Sequence, residues 1–292
     1  MVQEIQVILG GGYSVGMHMI SPMAFDPFLL EMALRYIPKK APMSVGNMPM
    51  QGATCPLPLP GALAQSCAEV LGGAAILQML GPENRVSFGP FVYPLDMQHA
   101  TIVYGGPDFI LANLALTQVA EFYGITVMAK AFNTMGKYPD DAQVGLAAAG
   151  SLVMALAGMK NFGWAGTCCI DEIGSAEEMI IQYEIFRTAL HAARGFQFDM
   201  HDLGEDAVKE CAPQNSYLMH ESTVQRFRDQ CFMSEIFSNE TFGPWSSAGM
   251  PTLAEKARRK AMRLLESHSF KRDPAQQKEL DALWEKALRL FG

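Results

Sequence analysis

"APMSVGNM" (residues 41–48) and "RVSFGPFV" (85–92) are near-continuous apolar stretches, and between them lies a long segment of helical character, Gly61 to Leu80. Strands that are buried on both faces have continuous apolar sequences rather than alternating ones. A strand, a helix and a second strand in this order make one β-α-β unit, whose two strands run parallel. This region therefore predicts an α/β fold built on a parallel sheet.

The same alternation continues on both sides of this unit. Further strand candidates are "YSVGMHMI" (13–20), "ITVMAKA" (125–131), "NFGWAGTC" (161–168) and, as a short sixth strand, "FQFDM" (196–200). Helices are predicted at Pro27 to Ile37, Gly61 to Leu80, Pro107 to Tyr123, Asp140 to Met159 and Ser175 to Arg194. Asp26 before Pro27, and Ser175 before two glutamates, are typical helix starts.

Five or six strands are fewer than the eight of a closed (β/α)8 barrel. Either the sheet is open and doubly wound, or part of a barrel is absent. After about residue 200 the sequence becomes charged and amphipathic without a further strong strand. We therefore expect a β/α portion over residues 1–200 and a helical C-terminal region, residues 201–292, packed on it.

Composition excludes several classes of protein. The 292 residues carry a net charge of −8 and no basic stripe, so nucleic acid is not an expected ligand. No uninterrupted apolar stretch is long enough for a membrane span, and "MVQEIQVILGGG" lacks the features of a signal peptide, which predicts a cytoplasmic protein. The six cysteines lack zinc-site spacing, so we expect reduced thiols and no metal site.

Several longer motifs occur in a specific order: "MPMQGATCPLPLPGALAQSCAEVL" (48–71), "GGPDFILANLALTQVAEFYGI" (105–125), "GKYPDDAQVG" (136–145) and "EEMIIQYEIF" (177–186), followed by "WSSAG" and "LAEKA". In this order they resemble the trimethylamine methyltransferase family from about Tyr13 to the C-terminus. That family includes corrinoid-dependent methyltransferases for trimethylamine and for quaternary amines such as glycine betaine.

The resemblance implies a (β/α)8 TIM-barrel type of fold, of which this chain would form a partial barrel with five to six parallel strands. It implies transfer of a methyl group from a methylated amine to the Co(I) of a separate corrinoid protein, with no tightly bound cofactor on this chain. Family members carry a substantial portion before the matched segment. We therefore expect homo-oligomerisation or association with a missing N-terminal half.

The loop "KAFNTMGKYPDD" (130–141) bears on the substrate. In the trimethylamine-specific members of the family, a pyrrolysine stands four residues ahead of the lysine of a Lys-x-Pro-Asp-Asp signature. Counting back from Lys137 places Asn133 at that position. Asn cannot form the covalent amine adduct proposed for pyrrolysine, so the resemblance implies a non-pyrrolysine member with quaternary amines as expected substrates.

Methylated ammonium ions are bound by aromatic faces and nearby carboxylates. In a barrel, these groups lie at the carboxyl ends of the strands. Counting along the predicted strands gives nine candidates: Asn133 and Asp96 as catalytic residues, and His18, Gln51, Phe91, Tyr93, Phe132, Trp164 and Asp171 as substrate-binding residues. Asn133 or Gln51 would bind a carboxylate tail if the substrate is a betaine.

Other interpretations stay open at this level. Trp164 and Phe91 are also typical of core positions, and His18, between two methionines, is typical of a hydrogen-bonded core histidine. The chain as a whole would alternatively be a truncated or split non-catalytic fragment that needs its N-terminal half. A third possibility is another TIM-barrel enzyme that binds a small cationic metabolite.

Overall fold

The computed structural model describes residues 2–11, 14–125, 128–139, 141–196, 198, 203–214 and 216–291. The chain divides into two compact units. The first unit comprises residues 1–104, 111–127 and 264–292, and the second comprises residues 105–110 and 128–263.

The described residues contain eleven α-helices and eight short strands, both numbered in chain order. The helices are α1 (Val2–Ile8), α2 (Pro27–Tyr36), α3 (Leu59–Leu80), α4 (Pro107–Tyr123), α5 (Asp141–Leu156), α6 (Ala176–Ala193), α7 (Glu205–Cys211), α8 (Glu221–Gln230), α9 (Phe242–Ser247), α10 (Leu253–Glu266) and α11 (Pro274–Phe291). The strands are β1 (Val15–Ile20), β2 (Ala24–Phe25), β3 (Met43–Asn47), β4 (Val86–Gly89), β5 (Leu95–Asp96), β6 (Thr101–Ile102), β7 (Thr167–Cys168) and β8 (Ile173–Gly174).

The largest sheet belongs to the first unit and has the strand order β2-β1-β3-β4. β1 pairs parallel with β3, and β3 pairs parallel with β4, so that Val45 lies opposite both Met17 and Phe88. β2 is a short antiparallel addition at one edge. The predicted parallel α/β sheet is therefore confirmed for its first three strands.

Helix starts follow the predicted capping chemistry. The Asp26 carboxylate accepts a hydrogen bond from the Leu29 amide at 2.9 Å, with Pro27 in the first turn of α2. The Ser175 hydroxyl accepts one from the Glu178 amide at 3.1 Å at the start of α6. Each side chain satisfies a backbone donor that the helix leaves unpaired. Predicted helices thus correspond to α2, α3, α4, α5 and α6.

One face of the parallel sheet carries the apolar core of the first unit. Met17, Met43 and Val45 on this face form a buried cluster with Ala33 of α2 and Leu77 of α3. Both connecting helices therefore pack on the same side of the sheet. Gly16, His18 and Gly46 lie on the opposite face, because successive side chains in a strand alternate between faces.

The later strand candidates differ from the sequence expectation. Residues 125–131 and 161–168 contribute one parallel bridge, Ala129 to Phe162, and residues 126 and 127 lie outside the described part. Trp164 has φ +65°, which a strand cannot continue through, and Thr167–Cys168 then pairs antiparallel with β8. The prediction of one parallel strand through residue 168 is therefore wrong. The described residues form no closed barrel.

Beyond β8 the described residues are helical, as the amphipathic pattern predicts. The predicted strand at 196–200 falls mostly outside the described residues, which include only 196 and 198 of it. In the first unit, α11 packs on α1, and the Gln276 side-chain amide donates to the Ile8 carbonyl oxygen at 3.1 Å.

Among the described helices, α3 is the one whose length and apolar composition would suffice to cross a membrane. About a third of its most apolar window is buried within the protein, and it contacts β1, β3 and β4. Core helices of folded proteins pass the same test, so this property of α3 is weak evidence for a membrane span.

Candidate functional site

The predicted site residues divide between the two units. His18, Gln51, Phe91, Tyr93 and Asp96 belong to the first unit, whereas Phe132, Asn133, Trp164 and Asp171 belong to the second.

In the second unit, Asn133 is buried beside a carboxylate. Its side chain is 1% exposed, and its Nδ2 donates to Asp171 Oδ1 at 3.4 Å. Its Oδ1 is buried and has no hydrogen-bond partner among the described residues. Buried polar atoms are nearly always paired, so such an acceptor requires an explanation. An acceptor oxygen next to a carboxylate is suited to a ligand that carries positive charge.

Asp171 ends a backbone segment of left-handed conformation. Cys169, Ile170 and Asp171 have φ values of 50°, 55° and 64°. Each such non-glycine residue costs roughly 1–2 kcal/mol, and β-branched Ile170 is a clear outlier. The Cys169 amide donates to the Gly136 carbonyl at 2.8 Å, which ties this turn to the loop that carries Asn133. Strain of this kind persists where surrounding structure imposes it, often at functional sites.

Lys130 and Trp164 form a cation–π pair in the same unit. Lys130 Nζ lies 4.7 Å from the centroid of the Trp164 ring. Burial lowers the pKa of Lys130 to about 8, although the nearby Asp171 carboxylate opposes this shift. Trp164 is 36% exposed, so the core interpretation of this residue is wrong. One ring face is engaged by Lys130, which leaves less aromatic surface for a ligand than the sequence suggested.

Phe132 is buried within this region and does not line an open surface. It is 3% exposed, and its ring centroid lies 5.8 Å from that of Phe162. Its carbonyl oxygen accepts a hydrogen bond from Gln182 Nε2 at 3.1 Å, and Gln182 Oε1 accepts one from the Gly166 amide at 2.8 Å. Gln182 of α6 thus holds the backbone on both sides of the candidate site.

In the first unit, the chain segments after β3 and β4 meet through backbone hydrogen bonds. The Tyr93 amide donates to the Pro49 carbonyl at 3.0 Å, and the Gln51 amide donates to the Tyr93 carbonyl at 2.9 Å. The Phe91 ring lies 6.4 Å from the fully buried Tyr93 ring. Gln51, Phe91 and Tyr93 are therefore gathered at the carboxyl edge of the sheet.

His18 lies on the exposed face of β1, opposite the apolar core. A Cβ atom on Gly46 would come within 3.5 Å of the His18 ring, so the imidazole lies across the glycine of the neighbouring strand. The interpretation of His18 as a core histidine is wrong, because its side chain is on the uncovered face of the strand.

The Asp96 carboxylate is engaged within its own hairpin. It accepts hydrogen bonds from the Gln98 amide at 2.8 Å and lies 2.6 Å from His99 Nδ1. The hydrogen bond with His99 is the main reason why the pKa of Asp96 is lowered. These contacts account for Asp96 as a turn residue, and its predicted catalytic role stays a prediction.

Sequence reasoning missed a buried polar network on α3. Glu69 is 2% exposed and accepts hydrogen bonds from the side chains of Ser21, Asn47 and Gln65. Ser66, one turn earlier on α3, donates to the Phe91 carbonyl at 2.7 Å. The available signal was "AQSCAEV" (64–70), which places polar side chains three residues apart on one face of an apolar helix.

The cysteines and possible metal ligands point to no further site. Cys55 and Cys168 are buried, and burial raises the pKa of each thiol to about 11. Within the described residues, no three His, Cys, Asp or Glu side chains are grouped so as to hold a metal ion.

Comparison with known proteins identifies the family. The model of the trimethylamine methyltransferase (MTTB) family matches residues 13–289, nearly the whole chain. The chain belongs to the trimethylamine methyltransferase family.

Relatives in this family are about a quarter identical to the chain over the aligned residues. The trimethylamine methyltransferase of Methanosarcina barkeri is 28% identical over 251 residues, which cover 86% of this chain and 50% of the relative. The glycine betaine methyltransferase of Desulfitobacterium hafniense is 25% identical over 290 residues, covering 96% and 60%. The proline betaine:corrinoid methyltransferase of Eubacterium limosum is 24% identical over 231 residues, covering 77% and 47%. The chain spans about half the length of the first of these relatives.

Proposed function

We propose that the chain acts in a methyltransferase that moves a methyl group from a methylated amine, foremost a quaternary amine, to the corrinoid of a partner protein. Family membership supports the reaction class, and the names of the relatives include trimethylamine, glycine betaine and proline betaine as substrates. The observation that carries the substrate class is the buried Asn133 oxygen, without a partner, beside the Asp171 carboxylate.

The chemistry of a quaternary amine needs few protein groups. Such a cation can lose a methyl group by in-line displacement, because its leaving group is a neutral tertiary amine that requires no proton. The corrinoid of the partner would supply the cobalt that accepts the methyl group. This chain would orient the cation and exclude water, and orientation of this kind is worth on the order of 7–11 kcal/mol.

In the second unit, three residues would bind and orient the cation. The Asp171 carboxylate would offset the positive charge of the amine, and the Asn133 oxygen would accept weak hydrogen bonds from its polarised methyl groups. Trp164 would offer the ring face that Lys130 does not engage. In the first unit, Gln51, Phe91 and Tyr93 at the carboxyl edge of the sheet remain proposed substrate-binding residues. The roles of His18 on the exposed face of β1 and of Asp96 in its hairpin also remain proposals.

A partial barrel is the proposed architecture. β1, β3 and β4 follow one another in sheet order without reversal, and α2 and α3 pack on one face of the sheet. A doubly wound sheet would reverse its strand order and place helices on both faces. Single winding is the arrangement of a barrel wall, so these features support a barrel more than an open sheet. The division at residue 200 remains part of this proposal.

Association is proposed in the form of a homo-oligomer or a complex with an N-terminal half. An apolar groove of about 630 Å³ between α3 and α4 supports this, with Phe122 exposed on its rim. A cytoplasmic location, without nucleic acid or membrane as partner, also stays a prediction. Size-exclusion chromatography of the chain alone and with a candidate partner tests the assembly.

The Asn133→Ala variant of the full chain tests the substrate site. Calorimetric titration with glycine betaine, proline betaine, carnitine, choline and trimethylamine should give heat for at least one ligand with the unaltered chain. The variant should bind that ligand about tenfold or more weakly, although removal of an unsatisfied buried oxygen should leave its stability within about 1 kcal/mol.

Asn161→Ala is the matched control, because Asn161 is exposed. Its affinity for the ligand should equal that of the unaltered chain. Absence of heat with every ligand would contradict the substrate class. Transfer of the methyl group to reduced cobalamin, followed by absorbance, would then test the reaction itself with the same variants.

A further inference from the structure

Glu69 on α3 has an unusual set of partners for a buried carboxylate. Ser21 Oγ, Asn47 Nδ2, Gln65 Nε2 and the Met23 amide donate to it at 2.6, 2.7, 2.9 and 3.1 Å. All four donors are neutral, and no Lys, Arg or His of the described residues forms an ion pair with Glu69. Burial raises the pKa of Glu69, but these hydrogen bonds together lower it below its usual range. Each carboxylate oxygen accepts two of these hydrogen bonds, which favours the ionised form, and no ion pair among the described residues compensates its charge.

The network around Glu69 lies at the carboxyl edge of the parallel sheet. Ser21 directly follows β1, Asn47 ends β3, and the Phe91 amide just after β4 donates to Asn47 Oδ1 at 3.1 Å. The carboxyl ends of parallel strands lie at one edge, where ligands bind in α/β proteins. A formal negative charge is thus fixed at the edge of the first unit where a ligand is expected.

Aromatic rings are attached to the same network. Phe91 is held through both backbone groups, since its amide donates to Asn47 and its carbonyl oxygen accepts from Ser66 Oγ at 2.7 Å. Phe91 is partly exposed, and its ring lies 6.4 Å from the ring of Tyr93, which lies 5.8 Å from the ring of Tyr104. Tyr93 and Tyr104 are buried, so Phe91 is the one of the three whose ring face a ligand can reach. Aromatic faces and a nearby negative charge are the two components that bind quaternary ammonium ions.

A charge without a counter-ion is costly to bury, and neutral residues of similar shape would hold the strand ends at lower cost. We propose that Glu69 is a specificity-determining residue, whose fixed negative charge makes the carboxyl edge of β1, β3 and β4 prefer a cationic ligand over a neutral one of the same shape. This inference rests on the proposed function and goes further, because it assigns the preference for charge to a residue outside the predicted site.

The test compares ligands that differ in charge alone. Choline and 3,3-dimethylbutan-1-ol have nearly the same shape, but a carbon atom replaces the quaternary nitrogen in the alcohol. In the full chain, Glu69→Gln should weaken binding of the quaternary ligand about tenfold or more and change binding of its neutral isostere about twofold or less.

A second variant neutralises the charge in place and protects the test from a folding defect. Gln65 is partly buried with its Nε2 2.9 Å from Glu69, so the lysine of Gln65→Lys can pair with the carboxylate. It should reduce the preference for the quaternary ligand as Glu69→Gln does, whereas Gln65→Met should leave that preference unchanged. Glu184→Gln, which alters a buried carboxylate of the second unit, should also leave it unchanged.

The outcomes separate this inference from the proposed function. If the unaltered chain binds quaternary ligands and Glu69→Gln keeps the full preference for them, the role of Glu69 is overturned and the proposed function stands. If Glu69→Gln weakens binding of the quaternary and the neutral ligand equally, the role of Glu69 is only structural, and the inference is overturned as well. Absence of preference in the unaltered chain would overturn both.

Discussion

Two buried glutamates, one in each unit, are held in opposite ways. Glu69 of α3 is 2% exposed and receives only neutral hydrogen-bond donors. Glu184 of α6 is 0% exposed and lies 2.8 Å from Lys260 and 3.2 Å from Arg187, with Ser234 Oγ donating to it at 2.9 Å. Hydrogen bonds and, for Glu184, nearby cations lower the pKa of both carboxyls against the effect of burial.

The charge of the partners decides whether a buried carboxylate can act on a ligand. Glu184 serves as a structural contact, whereas the negative charge of Glu69 remains able to attract a cation. Cations around Glu184 cancel its charge and join α6 to α10, so that little field extends beyond the cluster. Neutral donors around Glu69 stabilise the ionised form without cancelling its charge. Burial and pKa direction are the same for the two residues, and it is the charge of their partners that distinguishes them.

The largest expected effect comes from Glu184→Ala. This change leaves the nearly buried Lys260 ammonium without its closest partner, and breaking a buried pair in this way costs roughly 3–5 kcal/mol. The free energy of unfolding from urea titration measures it. Glu235→Ala removes the half-exposed second partner of Lys260 and should cost no more than about 1 kcal/mol. Equal losses for the two variants would contradict a counter-ion role for Glu184.

Asn47→Ala should have the next largest effect. It removes a donor to the Glu69 carboxylate and leaves the Phe91 amide without its acceptor, which together should cost roughly 2–4 kcal/mol. Urea titration again provides the measurement, with Asn161→Ala as the exposed control. A loss below about 1 kcal/mol would mean that water replaces the amide and that the network is less buried than its geometry indicates.

Lys130 is a buried cation, and the pH dependence of the free energy of unfolding tests the effect of its burial. Its pKa in the folded protein is about 8, below the value of about 10.4 expected for the unfolded chain. Between these values the unfolded chain binds more protons, so the free energy of unfolding should rise with pH, by on the order of 3 kcal/mol. Lys130→Met should abolish this rise, whereas Lys278→Met, at an exposed position, should retain it. An identical pH profile for both variants would contradict the burial of a charged Lys130.

The smallest effect is expected for Gln65→Ala. Glu69 keeps three of its four donors, and Gln65 is only partly buried, so the loss should be about 0.5–1.5 kcal/mol. Urea titration should therefore separate this variant clearly from Asn47→Ala. A loss as large as that of Asn47→Ala would show that the Glu69 network is cooperative and cannot be treated as a set of independent hydrogen bonds.

Helices were predicted more reliably than strands in this chain. Asp26 and Ser175 signal helix starts through local hydrogen bonds, which depend on residues only three positions away. The strand at 161–168 failed because its apolar sequence gives no sign of the left-handed conformation at Trp164. That conformation depends on contacts made elsewhere in the unit.

The candidate site shows the same division between local and distant information. The sequence predicts Asn133 and Asp171 as site residues on separate segments, and the structure brings their side chains together at 3.4 Å. The sequence places Lys130 in a loop, although folding buries it against Trp164. Glu69 was hidden within an apolar helix, since its role depends on Ser21 and Asn47, far away in the chain.

By itself, the sequence determined the α/β class, the order of the main helices and the family, because periodicity, capping and motif order are properties of neighbouring residues. Tertiary structure alone decided which charges are cancelled. Whether a buried carboxylate meets lysine and arginine, as Glu184 does, or only amides and hydroxyls, as Glu69 does, depends on contacts between distant segments. An electrostatic interaction depends on distance in space rather than on separation along the chain.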